Sequence, residues 1–185
     1  MKSKYMLSSI ICSAILLSAC NSDSSLNLLN SNDGFFGVNE TQTDSKIIGD
    51  LVVLNKNEIK AAREAKIKAV NPHVKKYAKK LYEQHNANLQ QTMKISRKLG
   101  VKPELNSTAV RIEKEGKEEV VHLSKLKHHE FDHAYLDDSI KDHKTALRVL
   151  DHDIAKSKSP ELKLHLEKTR SAVAKHLQEA EALKK

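Results

Sequence analysis

From Asp44 onward the apolar residues recur at steps of three and four, the spacing that gathers side chains on one face of an α-helix. This period, more than any motif, limits what the chain can fold into. The first stripe is Leu51, Asn55, Glu58, Ala62, Ala65 and Ala69, on a predicted helix over 44–70. Asn71-Pro72 interrupts it and starts a second helix, with Asn71 as N-cap and Pro72 at the first helical position. That helix carries Val74, Ala78, Leu81, His85, Asn88, Thr92, Ile95 and Leu99, and Gly100 is its stop. A third helix starts near Glu118 or near Lys127 and runs to Lys156, with Leu136, Ile140, His143, Leu147, Leu150 and Ile154 on its stripe. Ser159 and Pro160 repeat the cap-and-proline start for a fourth, with Leu162, Leu166, Thr169, Val173, His176, Ala180 and Leu183. Only 5 Gly and 3 Pro are present, and aromatics are 4%, so the turns and strands of an all-β fold are not encoded.

Four amphipathic helices can bury one core between them. The connections at Asn71 and at Ser157–Ser159 are short, so each joins antiparallel neighbours. The stretch 101–117, with Pro103, Asn106-Ser107-Thr108 and Gly116, reads as irregular and is long enough to span the length of the bundle. The predicted fold is therefore all-α: a ferritin-like four-helix bundle with a long connection between helices 2 and 3. An up-down-up-down bundle with a loose loop satisfies the same loop lengths.

The first residues read differently. Lys2 and Lys4 precede an apolar run from Met6 to Leu17, too short to span a bilayer, and the run ends in Leu17-Ser18-Ala19-Cys20. This resembles a bacterial lipoprotein signal, in which Cys20 is lipidated and becomes the mature N-terminus. The expected organisation is a signal peptide over 1–19, a flexible tether over 20–43 rich in Ser, Asn and Asp, and a bundle domain over 44–185. Asn21, where an Asp would signal inner-membrane retention, points to an outer-membrane lipoprotein facing the periplasm. The membrane partner is then reached through lipid on Cys20, without a spanning helix. Removing Lys2 and Lys4 with the signal lowers the formal charge from +8 to +6.

Each stripe carries one residue foreign to a plain apolar core: Glu58, His85, His143 and His176. Counted from their hairpin turns, all four fall near mid-height, roughly 20–27 Å from the turn at the helical rise. One inward polar group per helix at a shared level is how bundles build metal sites. Imidazole and carboxylate together suit Zn(II), Fe(II), Mn(II) or Cu(II). The Glu-x-x-His pairs of carboxylate-bridged di-iron centres are missing, since Tyr82, Ile140 and Val173 precede the three His by three residues. A purely structural network accounts for the same residues, with Glu58 paired to His85 and His143 to Tyr82 or Asn55. Glu179, one turn after His176, is the expected outer partner of that ring.

Elsewhere the signals are weaker. His128, His129 and His133 flank Phe131 and read as solvent-facing around an inward phenyl ring, and His73, His122, His152 and His165 have no assigned role. Asp132 either caps a helix or joins a polar cluster at the bundle end. Lys75, Lys76, Lys79 and Lys80 form a basic face that suits an anionic cell-envelope surface or plain solvation. The basic face lacks interleaved aromatics, so nucleic acid is not an expected partner. No phosphate loop or nucleophile elbow is present, and nothing else singles out an enzyme.

The chain resembles a bacterial envelope family of unknown function often labelled "predicted outer membrane protein", with a ferritin-like fold. The resemblance rests on Asn57-Glu58-Ile59, Asn71-Pro72-His73-Val74-Lys75, Gln84-His85-Asn86-Ala87-Asn88, Lys98-Leu99-Gly100-Val101, Phe131-Asp132-His133-Ala134-Tyr135-Leu136-Asp137, Asp142-His143-Lys144 and His176-Leu177. It implies the fold and the envelope location and supplies no activity. The family pattern usually has Asp-His where Gln84-His85 stands, so any orienting role at that position falls here to a neutral amide. Two functions are consistent with all of this. One is a metal-binding envelope lipoprotein using Glu58, His85, His143 and His176, with a metal-buffering or envelope-stress role. The other is a non-catalytic envelope module whose polar core is structural.

Overall fold

The computed structural model describes residues 32–185; the expected signal peptide, Cys20 and the first part of the expected tether lie outside the described residues. All described secondary structure is helical: α1 Asn32–Lys68, α2 Pro72–Leu99, α3 Ser107–Lys125, α4 His128–Lys156 and α5 Pro160–Lys184. Two features differ from the sequence reading. α1 begins inside the span assigned to the tether. The stretch 101–117 is irregular only as far as Asn106, whose side chain accepts the Ala109 N–H and so caps a separate α3. Pro103 and Gly116 masked a helix whose buried residues, Ala109, Ile112, Gly116 and Leu123, do keep the helical step. Gly116 is tolerated mid-helix because Asn57 of α1 occupies the space its side chain would take: an added Cβ would meet Asn57 Nδ2 at 2.2 Å. No helix among the described residues is long and apolar enough to cross a membrane.

The predicted caps form as expected at Asn71, Gly100 and Ser159. α1 packs on α2 and α4 on α5, while α1 also meets α4 and α2 meets α5. The hydrogen bonds fix directions. Asp132, at the start of α4, accepts the N–H groups of Val70 and Asn71 in the α1–α2 turn, at 3.1 and 2.7 Å. At the other end Asp44 of α1 accepts the N–H groups of Lys158 and Ser159 in the α4–α5 turn, both at 3.2 Å. Each hairpin's turn is thus held by an aspartate of the other hairpin, and α1 runs antiparallel to α4. α3 climbs along α1 between these ends: Glu104 N–H donates to Ser45 O, Asn57 reaches Ile112 O, and Lys68 Nζ reaches Leu123 O. The crossover from the foot of α2 to the head of α4 is therefore a helix, not a loose loop.

The apolar core lies in two large blocks and a small third one, of Val53, Ala109 and Ile112, under α3. Of the large blocks, one gathers Ala61, Ala65, Tyr77, Leu81, Phe131, Tyr135 and Ala180 near the α1–α2 turn. The other gathers Ile48, Leu51, Ile95, Leu150, Leu162 and Leu166 toward the α4–α5 turn. A polar layer from α1, α2, α4 and α5 falls between them, where the sequence placed the odd residue of each stripe.

Candidate metal centre

The three imidazoles of that layer converge. His85 on α2, His143 on α4 and His176 on α5 are buried, at 7%, 1% and 3% exposure. Their ring centroids are 5.9 Å apart for His85 and His143, and 5.3 Å for each of the other two pairs. One nitrogen from each ring lies within 4.8 Å of the other two. α2 and α4 reach the point from one direction and α5 from the other, so no two of these residues are near in sequence.

Each ring is held through one nitrogen. His85 Nδ1 lies 3.0 Å from Asn55 Oδ1, whose own amide nitrogen is spent on Leu51 O and Asn88 Oδ1. His143 Nδ1 lies 2.7 Å from the backbone carbonyl of Ser139. His176 Nε2 lies 2.6 Å from Gln84 Oε1. All three partners are carbonyl oxygens, which accept and cannot donate, so the ring proton sits on the bonded nitrogen. The lone pairs are left on His85 Nε2, His143 Nε2 and His176 Nδ1, and these three atoms are buried without a hydrogen-bond partner. Burial holds all three rings below the usual histidine range, His143 at about 4 and His176 at about 3. The neighbouring imidazoles add to this for His85 and His176, and Lys80 adds to it for His143 and His176. The rings are neutral at neutral pH, the state a metal ligand needs.

Glu58 is not in this group. Its Oε1 lies 3.5 Å from His143 Nδ1, on the side of the ring already bonded to Ser139, and the expected Glu58–His85 pair is replaced by Asn55–His85. Asn55 is one turn earlier on α1 and occupies the place that faces α2. Burial, reinforced by the charge of Asp142, raises the Glu58 carboxyl well above the ordinary range. Nearby, Glu119 of α3 shares a hydrogen bond with Asp142 and is raised as well, by burial first. Glu58 thus faces an acidic group under α3 as much as it faces the imidazoles. Two other expected partners have other contacts: Glu179 pairs with Lys80, and the Tyr82 ring lies under Lys66 Nζ, 3.7 Å from its centroid.

Nothing in the sequence marks Ser139 and Tyr77 as orienting residues, while Asn55 and Gln84 were candidates whose partners differ: Asn55 meets His85 rather than His143, and Gln84 meets His176 rather than His85. The Tyr77 hydroxyl meets Ser139 Oγ at 2.8 Å and donates to His176 O at 3.1 Å, tying α2, α4 and α5 at the same level. Asn55 stood on the predicted stripe, and Gln84, although exposed, was marked only by the resemblance. A small cavity of about 20 Å³ borders Glu58, His85 and His143, room for one water-sized ligand. On the outer side a surface cleft of about 300 Å³ reaches His176 and Gln84 between Lys80, Lys168 and Lys175.

Of the remaining residues, His128, His129 and His133 are exposed around a fully buried Phe131, as the sequence indicated. His165 is buried with its Nε2 on Thr92 Oγ1 at 2.9 Å. Over residues 38–183 the chain matches the family described as "Domain of unknown function (DUF4142)". No curated protein and no solved structure matches it.

Proposed function

The chain belongs to this family, and for it we propose a transition-metal site at mid-bundle, with His85 Nε2, His143 Nε2 and His176 Nδ1 as ligands. The observation that carries the proposal is that one nitrogen of each ring lies within 4.8 Å of the others while each ring keeps one buried nitrogen without a hydrogen-bond partner. A network kept only for packing would spend these nitrogens on hydrogen bonds, because an unsatisfied buried polar atom costs about 1–3 kcal/mol. Each ring also has the carbonyl partner on its far nitrogen that metal-bound histidines use to fix tautomer and orientation. Tetrahedral coordination at 2.0–2.1 Å sets ligand nitrogens about 3.3 Å apart, so the rings draw together slightly on binding.

Three neutral imidazoles suit Zn(II), Cu(II) or Fe(II) and are a poor set for Mn(II), which prefers oxygen. Glu58, proposed from the sequence as the fourth ligand, acts instead from behind His143, and the small cavity beside His85 and His143 accommodates a water or small anion as the fourth donor. The architecture, with its helical crossover between the two hairpins, is read as ferritin-like. The biological role that follows is metal binding or buffering at the cell envelope, with the bundle held at the outer membrane by lipid on Cys20 and its basic α2 face turned to anionic envelope material. Support for the anchor is the Leu17-Ser18-Ala19-Cys20 sequence.

The test is metal stoichiometry. Untagged protein should carry or take up one Zn(II), Cu(II) or Fe(II) per chain, and the His85→Ala, His143→Ala, His176→Ala variant should take up none. Wild-type protein that stays metal-free and gains no thermal stability from any of the three ions would overturn the reading in favour of a structural polar core.

A further inference from the structure

A second site lies apart from the imidazoles, where α3 starts. A cleft of about 390 Å³ opens between α1, α3 and α4 and falls in the size range of small-molecule sites. Two carboxylates line it, Asp50 of α1 and Asp153 of α4, at 4% and 2% exposure. Each uses one oxygen: Asp50 Oδ2 accepts Asn106 Nδ2 at 2.8 Å, and Asp153 Oδ1 lies 3.3 Å from His152 Nδ1. The other oxygens, Asp50 Oδ1 and Asp153 Oδ2, are buried and have no partner. Asp50 precedes Glu58 by two helical turns and Asp153 follows His143 by nearly three, so the cleft lies about 12–15 Å along the bundle from the imidazoles.

Two arginines, Arg111 and Arg148, line the same cleft. Arg148 of α4 is exposed, has no ion pair within 4 Å among the described residues, and donates to Thr145 Oγ1 at 3.0 Å. Arg111 is engaged with Glu115. Ser107 and Thr108 bring the first turn of α3, whose dipole favours an anion although its Ala109 N–H is already taken by Asn106. An acidic floor and a basic rim within one small cleft describe a ligand with both charges.

We propose that this cleft binds a small zwitterion of amino-acid type, its ammonium placed between Asp50 and Asp153 and its carboxylate met by Arg148 and the α3 N-terminus. A primary ammonium has three donors to offer and can serve both free carboxylate oxygens at once. A bare divalent ion would leave most of the volume and the arginine unused. Free amino acid and the end of a short peptide share this chemistry.

Titrating isotope-labelled full chain by NMR tests the proposal, with L-lysine, D-alanine and the dipeptide alanyl-alanine as zwitterions, 1,5-diaminopentane as amine alone and glutarate as carboxylate alone. At least one zwitterion should saturate shifts of residues around the cleft at millimolar concentration or below, and comparing the free amino acids with the dipeptide distinguishes the two sources. Asp153→Asn should weaken that binding by at least about tenfold, the scale of one lost charge-assisted contact. Arg148→Gln, on an exposed rim where folding is not at stake, should weaken the zwitterion and leave diaminopentane unchanged. The proposal is overturned if no zwitterion shifts these residues, if binding survives Asp153→Asn, or if Arg148→Gln has no effect on a zwitterion that binds.

Discussion

Gln84 offers a direct handle on the imidazole cluster, because it is exposed yet accepts the His176 Nε2–H at 2.6 Å. Replacing it by Ala removes the acceptor while leaving the core untouched. His176 then loses the bond that keeps its proton on Nε2 and its lone pair on Nδ1. Loss of such an orienting partner typically lowers metal affinity 10–100-fold, or about 1.4–2.7 kcal/mol. The metal-free fold should change by no more than about 1 kcal/mol, since water can replace the amide at this partly exposed position. Gln84→Glu keeps the length of the side chain and supplies an anionic acceptor. A charge-assisted bond is roughly twice as strong as a neutral one and makes the ring a better donor to metal, so affinity should rise by about tenfold. Competition against a coloured chelator at neutral pH reads both changes. A Gln84→Ala variant that binds Zn(II) within about twofold of wild type, or Ala and Glu variants that shift affinity in the same direction, would show that Gln84 does not orient His176 for metal.

Three further outcomes follow from the packing and the electrostatics. Gly49→Ala should destabilise the protein by about 1–3 kcal/mol in chemical denaturation, because the new Cβ would stand 2.0 Å from the backbone oxygen of Glu104 and lift the crossover from α1; a neutral or stabilising result, as helix propensity alone predicts, would show that the segment is not docked there. Asp132→Ala should cost about 2–4 kcal/mol by the same measurement, since two backbone N–H groups lose a charged acceptor and the hairpins lose a clamp. Glu58 has a folded-state pKa raised above its unfolded value, so its contribution is fully present below the unfolded pKa and is lost as pH rises toward the folded one. Metal-free Glu58→Gln should therefore gain on wild type with rising pH from about 5 upward, by up to about 1.4 kcal/mol per pH unit, and a pH-independent difference between the two would count against a neutral buried Glu58.

The long helices and their inward faces were legible because one rule, the 3.6-residue period, governs them. Leu51, Ala62, Ala65, Leu81, Leu150 and Leu166 are buried as their stripes required. Counting residues from the turns also brought His85, His143 and His176 to one level, since the helical rise converts sequence distance to height. Height does not fix rotation about the axis: Asn55, not Glu58, takes the position facing His85, and Glu58 lies beside His143. The same limit explains Gln84. Adjacent residues on a helix point about 100° apart, so Gln84 orients His176 on α5 and not its neighbour His85. α3 was hidden because Pro103, Asn106 and Gly116 are ordinary breakers, and only the tertiary contact with Asn57 makes Gly116 a helical residue. The Asp50–Asp153 cleft was not legible, because its parts come from three helices and neither acid breaks a stripe in a way that sequence distinguishes from solvation.

The central claim is that three imidazoles, and no carboxylate of Glu58, bind the metal. X-ray absorption on Zn(II)-loaded protein reads this donor set directly. Three imidazole nitrogens at about 2.0 Å with a single light fourth donor is the predicted shell, unchanged in Glu58→Gln. A shell dominated by carboxylate oxygen, or one that loses a donor in Glu58→Gln, would contradict it.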